Sequence, residues 1–179
     1  MTCTKKQKRW LIIATALTAA LLALVLLLLN WFGTAELTDF NRHSETAHAL
    51  GKPVGDLTDY VTYSAEKRGG SHYAADGMGF ITVSAFPDVV FGAQRVTTVC
   101  LLPGSEAQGR HVLGIAVGDT AKEVFAALEE HSYEVTHSGQ GGIRAARGKI
   151  ALSFTLGESN KVTEITARIF ATNLMRVQY

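Results

Sequence analysis

Cysteine is scarce in this chain of 179 residues, where Cys3 and Cys100 are the two thiols. Two cysteines cannot build the disulfide framework of a small secreted scaffold, and these fit neither CxxC nor a thiolate zinc site. A surplus of one charge is lacking too. Seventeen Lys and Arg stand against sixteen Asp and Glu, with no basic stripe interleaved with aromatics, so the footprint of a nucleic-acid binder is missing. Catalytic signatures are equally absent. The six histidines (His43, His48, His72, His111, His131 and His137) form no HExxH and no HxH, and no GxSxG places a serine on a strained turn. The Gly-rich stretch Ser138–Gly142 is not followed by GK[ST] and is expected to be a turn rather than a phosphate cradle. His43 and His48, five residues apart, are expected on different helix faces. His131 and His137 flank YEVT and could converge in a hairpin, without an identifiable third ligand. No catalytic, cofactor-binding or metal residue is therefore expected.

What the chain has is one long apolar run. Trp10 to Leu29, WLIIATALTAALLALVLLLL, holds 20 residues without a charge, and at ~1.5 Å per helical residue it spans roughly the 30 Å hydrocarbon core. Lys5, Lys6, Lys8 and Arg9 precede it, and no positive charge follows before Arg42. The positive-inside rule then sets the N-terminus in the cytoplasm. Trp10 at one end, and Trp31 with Phe32 at the other, fall at headgroup depth. The competing possibility is a cleaved signal peptide with Gly33 and Ala35 at its −3 and −1 positions. The run is longer than an ordinary h-region of ~7–15 residues, which favours a retained anchor. The expected segments are a cytoplasmic stub over 1–9, a transmembrane helix over 10–32, and two α+β halves over 33–104 and 105–179.

Beyond the span, thirteen basic residues face sixteen acidic ones, a net charge of −3. Hydrophobic residues make up 47% of the whole chain and charged residues 18%, so the outer part is expected to fold around a core rather than remain disordered. Its organisation suggests an internal repeat. GFITVSAF (79–86) followed by QRVTTVCLL (94–102) aligns with GKIALSFT (148–155) followed by NKVTEITAR (160–168). Each pair has the alternation of a hairpin with one covered face, and Gly157, Ser159 and Asn160 supply turn chemistry in the second. In this alignment Ile81 and Val83 correspond to Ile150 and Leu152, and Val96 to Val162, all six expected in the core. Cys100 is expected to be a packed, inert thiol in a buried strand. Two further strands are expected ahead of each hairpin, in DYVTYSAE and SHYAADG and in YEVTHS and GIRAARG. Thr120 and Glu123 have capping-box spacing, which predicts a helix over about 120–131. Leu37, Phe40, Ala47 and Leu50 have weaker helical spacing, with a stop at Gly51 and Pro53. The expected fold class is α+β: one N-terminal transmembrane helix, then an extracytoplasmic domain of two helix-plus-antiparallel-sheet pseudo-repeats.

Gly118-Asp119-Thr120-Ala121-Lys122-Glu123-Val124 with Leu128 resembles the opening G-x-T-x-x-E-V…L of small bacterial envelope domains of the SmpA/BamE type. Leu50-Gly51-Lys52-Pro53 is similar to the LGxP of such domains. The resemblance covers roughly residues 37–170 as two copies, and it implies a non-enzymatic adaptor role in envelope complexes. Unlike the lipoprotein members, this chain has no lipobox cysteine.

These features together imply a membrane-tethered protein-interaction module of the bacterial cell envelope, in the plasma membrane, with a protein partner and no nucleic acid. The alternative is a sensor domain for a small ligand or an envelope polymer. Tyr60, Tyr63, Tyr73 and Phe91 are the candidates for an exposed aromatic surface. Arg144, Arg147 and Lys149 are the candidates for a basic one. Strand alternation could set Arg147 and Lys149 on one solvated face, or the group could meet an anionic polymer.

Overall fold

A computed structural model of the chain describes residues 5–46, 48–52, 61–63, 71–74, 79–84, 95–139 and 141–170, with side chains outside 1–7, 26–34 and 53–94. The chain divides into two compact units, Met1–Ala35 and Glu36–Tyr179.

Helix α1 runs over Lys5–Arg42. Within it, Lys8–Val25 is long and apolar enough to cross a membrane, and its side chains are exposed. Past Lys8 and Arg9 at its start, Thr15 and Thr18 carry the hydroxyls of this stretch. Their hydroxyls donate to the carbonyls of Leu11 (2.9 Å) and Ala14 (2.8 Å), so both are satisfied inside the helix, as a hydrocarbon environment requires.

The helix expected to end at Gly51 instead ends at Arg42. Phe40 and Leu50 are both buried, at 1% and 0% exposure, but a chain reversal brings them to the core rather than a shared helix face. Asn41 makes that reversal. Its side-chain amide donates to the Leu50 carbonyl (2.8 Å) and its amide oxygen accepts from the Leu50 N–H (3.0 Å). Gly51 completes the turn at φ +73. Ala47 of the expected stripe, and Pro53 of the expected stop, lie outside the described residues.

Eight strands follow: β1 (Val61–Tyr63), β2 (Ser71–Ala74), β3 (Gly79–Ser84), β4 (Arg95–Leu101), β5 (Glu134–Gly139), β6 (Gly142–Arg147), β7 (Ile150–Leu156) and β8 (Val162–Ile169). Each falls in a segment where the sequence pattern predicts a strand. They form one antiparallel sheet in the order β1-β2-β3-β4-β8-β7-β6-β5. Helix α2 spans Ala121–Glu130. Thr120 caps it: the threonine side chain accepts from the Glu123 N–H, and the Glu123 carboxylate accepts from the Thr120 N–H, closing the capping box.

Val124 and Leu128 of α2 and Phe40 of α1 share one core with Val99 and Leu101 of β4, Ile143 and Ala145 of β6, Leu152 and Phe154 of β7, and Ile165 and Ala167 of β8. Those strand residues alternate, so they share one face of the sheet. The link from β4 to α2 adds Val112, Leu113, Ile115 and Val117 to the same core. Expected core residues Val96, Ile150, Leu152 and Val162 are all buried, whereas the side chains of Ile81 and Val83 lie outside the described residues. Gly142 marks a close approach: at φ +144, a Cβ there would sit 2.2 Å from the Phe154 carbonyl oxygen.

Candidate functional site

Register defines the opposite face of the sheet as continuous rows. One row crosses all eight strands: Tyr63, His72, Thr82, Thr98, Arg168, Ala151, Ala146 and Glu134. Beside it runs Phe80, Cys100, Thr166, Ser153, Arg144 and His137. In the described half this surface is small and hydroxylic at its centre, with Arg144 and Arg168 exposed and Cys100, Ala146 and Ala151 buried. The Thr166 hydroxyl lies 3.6 Å from the Cys100 sulfur, which fits a packed rather than a reactive thiol.

The residues proposed from sequence as an interaction surface separate. Tyr63 takes its place in the first row, whereas Tyr73 pairs with Ile81 and through it with Val99, on the core-side register. Tyr60 and Phe91 lie outside the described residues. Arg144 is exposed on the opposite face, across from Ser153 and His137.

Arg147 and Lys149 do not share a solvated strand face. Arg147, the last residue of β6, is on the core side. Its Nη1 meets the Asp39 carboxylate at 2.5 Å and the His131 carbonyl at 3.1 Å, and its guanidinium lies 5.9 Å from the centre of the Tyr133 ring. Lys149 lies beyond the strand in the β6–β7 turn, where its N–H donates to the Glu36 carboxylate at 3.0 Å. Both residues are therefore bound to the last turns of α1.

This polar cluster was missed in the sequence because Asp39 and Arg147 are 108 positions apart. The hydrogen bond from Arg147, aided by its charge, holds the Asp39 carboxyl below the usual range, against a smaller opposing effect of burial. Burial pushes the Tyr133 phenol up. His43 is not on a helix face. It follows the last residue of α1, its Nδ1 lies 3.0 Å from the Asp39 carbonyl oxygen and 3.6 Å from the Asp39 carboxylate, and its ring meets that of His131 with centroids 4.7 Å apart. His131, the C-cap of α2, thus meets His43 rather than His137, which lies on β5 across from Arg144.

Among the described residues, no group of three or more His, Cys, Asp or Glu could hold a metal ion. No protein family, curated protein or solved structure matches the chain.

Proposed function

We propose that the chain is a single-pass protein of a bacterial plasma membrane. Its N-terminus is cytoplasmic and its C-terminal domain is a non-catalytic, extracytoplasmic module that holds an envelope protein partner. The membrane half of this reading rests on the charge-free run with Lys5, Lys6, Lys8 and Arg9 on one side of it, and on the exposure of Lys8–Val25 in α1. The observation that carries the binding half is the opposite face of the sheet. Eight strands joined edge to edge offer a wide, continuous surface in fixed register, which suits a macromolecule better than a small ligand in a closed pocket.

We further propose that the domain consists of two pseudo-repeats, and four local features support this. Gly51 N–H donates to the Val96 carbonyl and Val96 N–H to Lys52. In the second half Gly118 N–H donates to Val162, and Val162 N–H to Asp119. One residue after each valine the ladder skips a residue, Thr97 in β4 and Thr163 in β8. The halves then meet through residues of the same offset: Cys100 pairs with Thr166, and Glu45 with His111, each 66 positions apart. That is the arrangement a two-fold axis through the sheet would generate. The equivalence also moves the alignment of the hairpins. Val96 pairs with Val83 and Val162 with Leu156, so Val83 matches Leu156 and Ile81 matches Phe154, four positions beyond the sequence alignment.

Photo-crosslinking in membranes tests the binding surface. A crosslinker at Ser153 or Thr166 should give a discrete adduct with one envelope protein, while one at Glu129, exposed on α2, should not. Adducts at Glu129 alone would reject the opposite face as the docking surface. Protease added outside spheroplasts should digest the domain, and protection would reject the topology.

A further inference from the structure

Strand β5 ends the sheet, and every residue of it, from Glu134 to Gly139, is exposed. The register of the neighbouring strands shows which of its backbone groups face outward. Arg147 pairs with Ile150 across the turn Gly148-Lys149, so Arg147 and, by alternation, Ala145 and Ile143 bond to β7. Gly142, Arg144 and Ala146 are left for β5, where their partners are Gly139, His137 and Glu134. Val135 and Ser138 therefore turn N–H and C=O away from β6. Among the described residues, neither makes a hydrogen bond outside the ladder. The strand also contains no Lys and no Pro, two residues that close a sheet edge to further pairing.

The two sides of this edge differ in chemistry. Val135 pairs with Ala145 and so lies on the core side. It is 39% exposed, and Phe125 of the adjoining α2 is 42% exposed; among the described residues outside α1, these are the large apolar side chains left in solvent. On the opposite face the edge carries His137, across from the exposed Arg144. The side chains of an added strand alternate, so one row would meet the apolar side and the other a cation.

We propose that β5 takes up an extended segment of the envelope partner as an additional strand, one in which apolar residues alternate with acidic ones. The irregularity between Val135 and His137 favours a foreign strand over a second copy. Two copies of β5 paired with full overlap about a two-fold axis would set both irregularities at that axis, each with its unpaired residue, whereas a regular strand meets only one. The proposal rests on the reading that the domain holds a protein, and not on the docking of that protein to the opposite face.

The test uses the full chain in detergent micelles and a dye-labelled synthetic peptide of about eight residues that alternates valine with glutamate. Fluorescence anisotropy should show saturable binding to the parent. Ser138→Pro, which removes an outward N–H, should weaken it at least about tenfold, while Ser138→Ala, which keeps that N–H, should stay within about twofold. Replacing glutamate by lysine in the peptide should weaken binding to the parent, and Arg144→Glu should reverse that preference. Should Ser138→Pro fail to fold, amide exchange in the parent decides: bound peptide should slow exchange at Val135 and Ser138. No saturable binding, equal losses for the proline and alanine variants, or unslowed amides would overturn the proposal. A dimer of the parent that Ser138→Pro abolishes would overturn it in favour of a second copy. The adaptor reading fails separately, by the absence of any discrete crosslinked adduct in parent membranes; the edge fails alone if adducts form and the peptide does not bind.

Discussion

Truncating Leu152 to alanine should cost an unusually large share of the domain's stability. Leu152 stands at the middle of β7, 2% exposed, and its direct cross-strand neighbours are Ala145 on β6 and Ala167 on β8. Neither methyl group can extend into the space that the leucine would vacate. The backbones that carry them are fixed by ladders on both sides, β6 against β7 and β7 against β8, so the cavity cannot collapse. Leu→Ala changes in cores cost ~2–5 kcal/mol, rising with the cavity that remains, and this site belongs in the upper half, about 3.5–5 kcal/mol. Against a total of ~5–15 kcal/mol, that brings the domain close to unfolding. Tryptophan fluorescence is the wrong probe, because Trp10 and Trp31 both belong to α1. Pulse proteolysis of the full chain in urea reads the unfolded population of the domain instead. Thr163→Ala is the control. Thr163 is exposed at the irregularity of β8, with its hydroxyl donating to the Thr155 carbonyl, and its loss should stay within about 1 kcal/mol. A cost below about 1.5 kcal/mol for Leu152→Ala, or one no larger than that of Thr163→Ala, would refute the packing argument.

Removing the cap of α2 with Thr120→Ala should lower stability by about 1 kcal/mol, measured by the same proteolysis. Gly142→Ala should be far more damaging than Gly109→Ala. The former drives a Cβ into the Phe154 carbonyl, while the latter meets nothing within 4 Å and bears only the strain of φ +70, ~1–2 kcal/mol. Acid titration should show the Asp39–Arg147 pair. Because the folded-state pKa of Asp39 is depressed, its contribution is present above the unfolded value of ~3.9 and is lost as pH falls through the folded one. Asp39→Asn should therefore flatten the stability profile below about pH 4.

The strands were legible because each is an alternating run bounded by turn residues, and α2 because Thr120 and Glu123 announce its first turn. Register was less so. The alignment of GFITVSAF with GKIALSFT matched two similar alternations, and alternation is unchanged by a shift of two or four residues. In the proposed two-repeat arrangement the match rests instead on backbone hydrogen bonding from Gly51 and Gly118 to a valine in each half, together with a skipped residue just after it. Neither leaves a side-chain signature. The two glycines were visible in the sequence as punctuation after and before helices, yet both sit at positive φ, +73 and +99, and each donates its N–H to the carbonyl of that valine.

The polar cluster was illegible for a different reason: each member looked ordinary where it stood. Asp39 sits in an amphipathic stretch whose buried member is Phe40, and nothing local distinguishes it from a solvated helix acid. Arg147 and Lys149 alternate along what looks like one strand, but β6 ends at Arg147, and Gly148 at φ +52 turns the chain before Lys149. A Cβ there would fall 1.8 Å from the Glu36 carboxylate, so any other residue at this turn would make the Glu36 side chain shift. The consequence is that the Arg147 guanidinium meets Asp39 while Lys149 meets Glu36 through its backbone N–H. Arg144, three residues earlier and on the opposite face, is the member of the three expected basic residues that is exposed on the proposed docking surface. Charge reversal at Arg144 should therefore weaken partner crosslinking without unfolding the domain. Charge reversal at Arg147 should instead destabilise the domain, leaving Asp39 beside a new carboxylate and the His131 carbonyl without its donor.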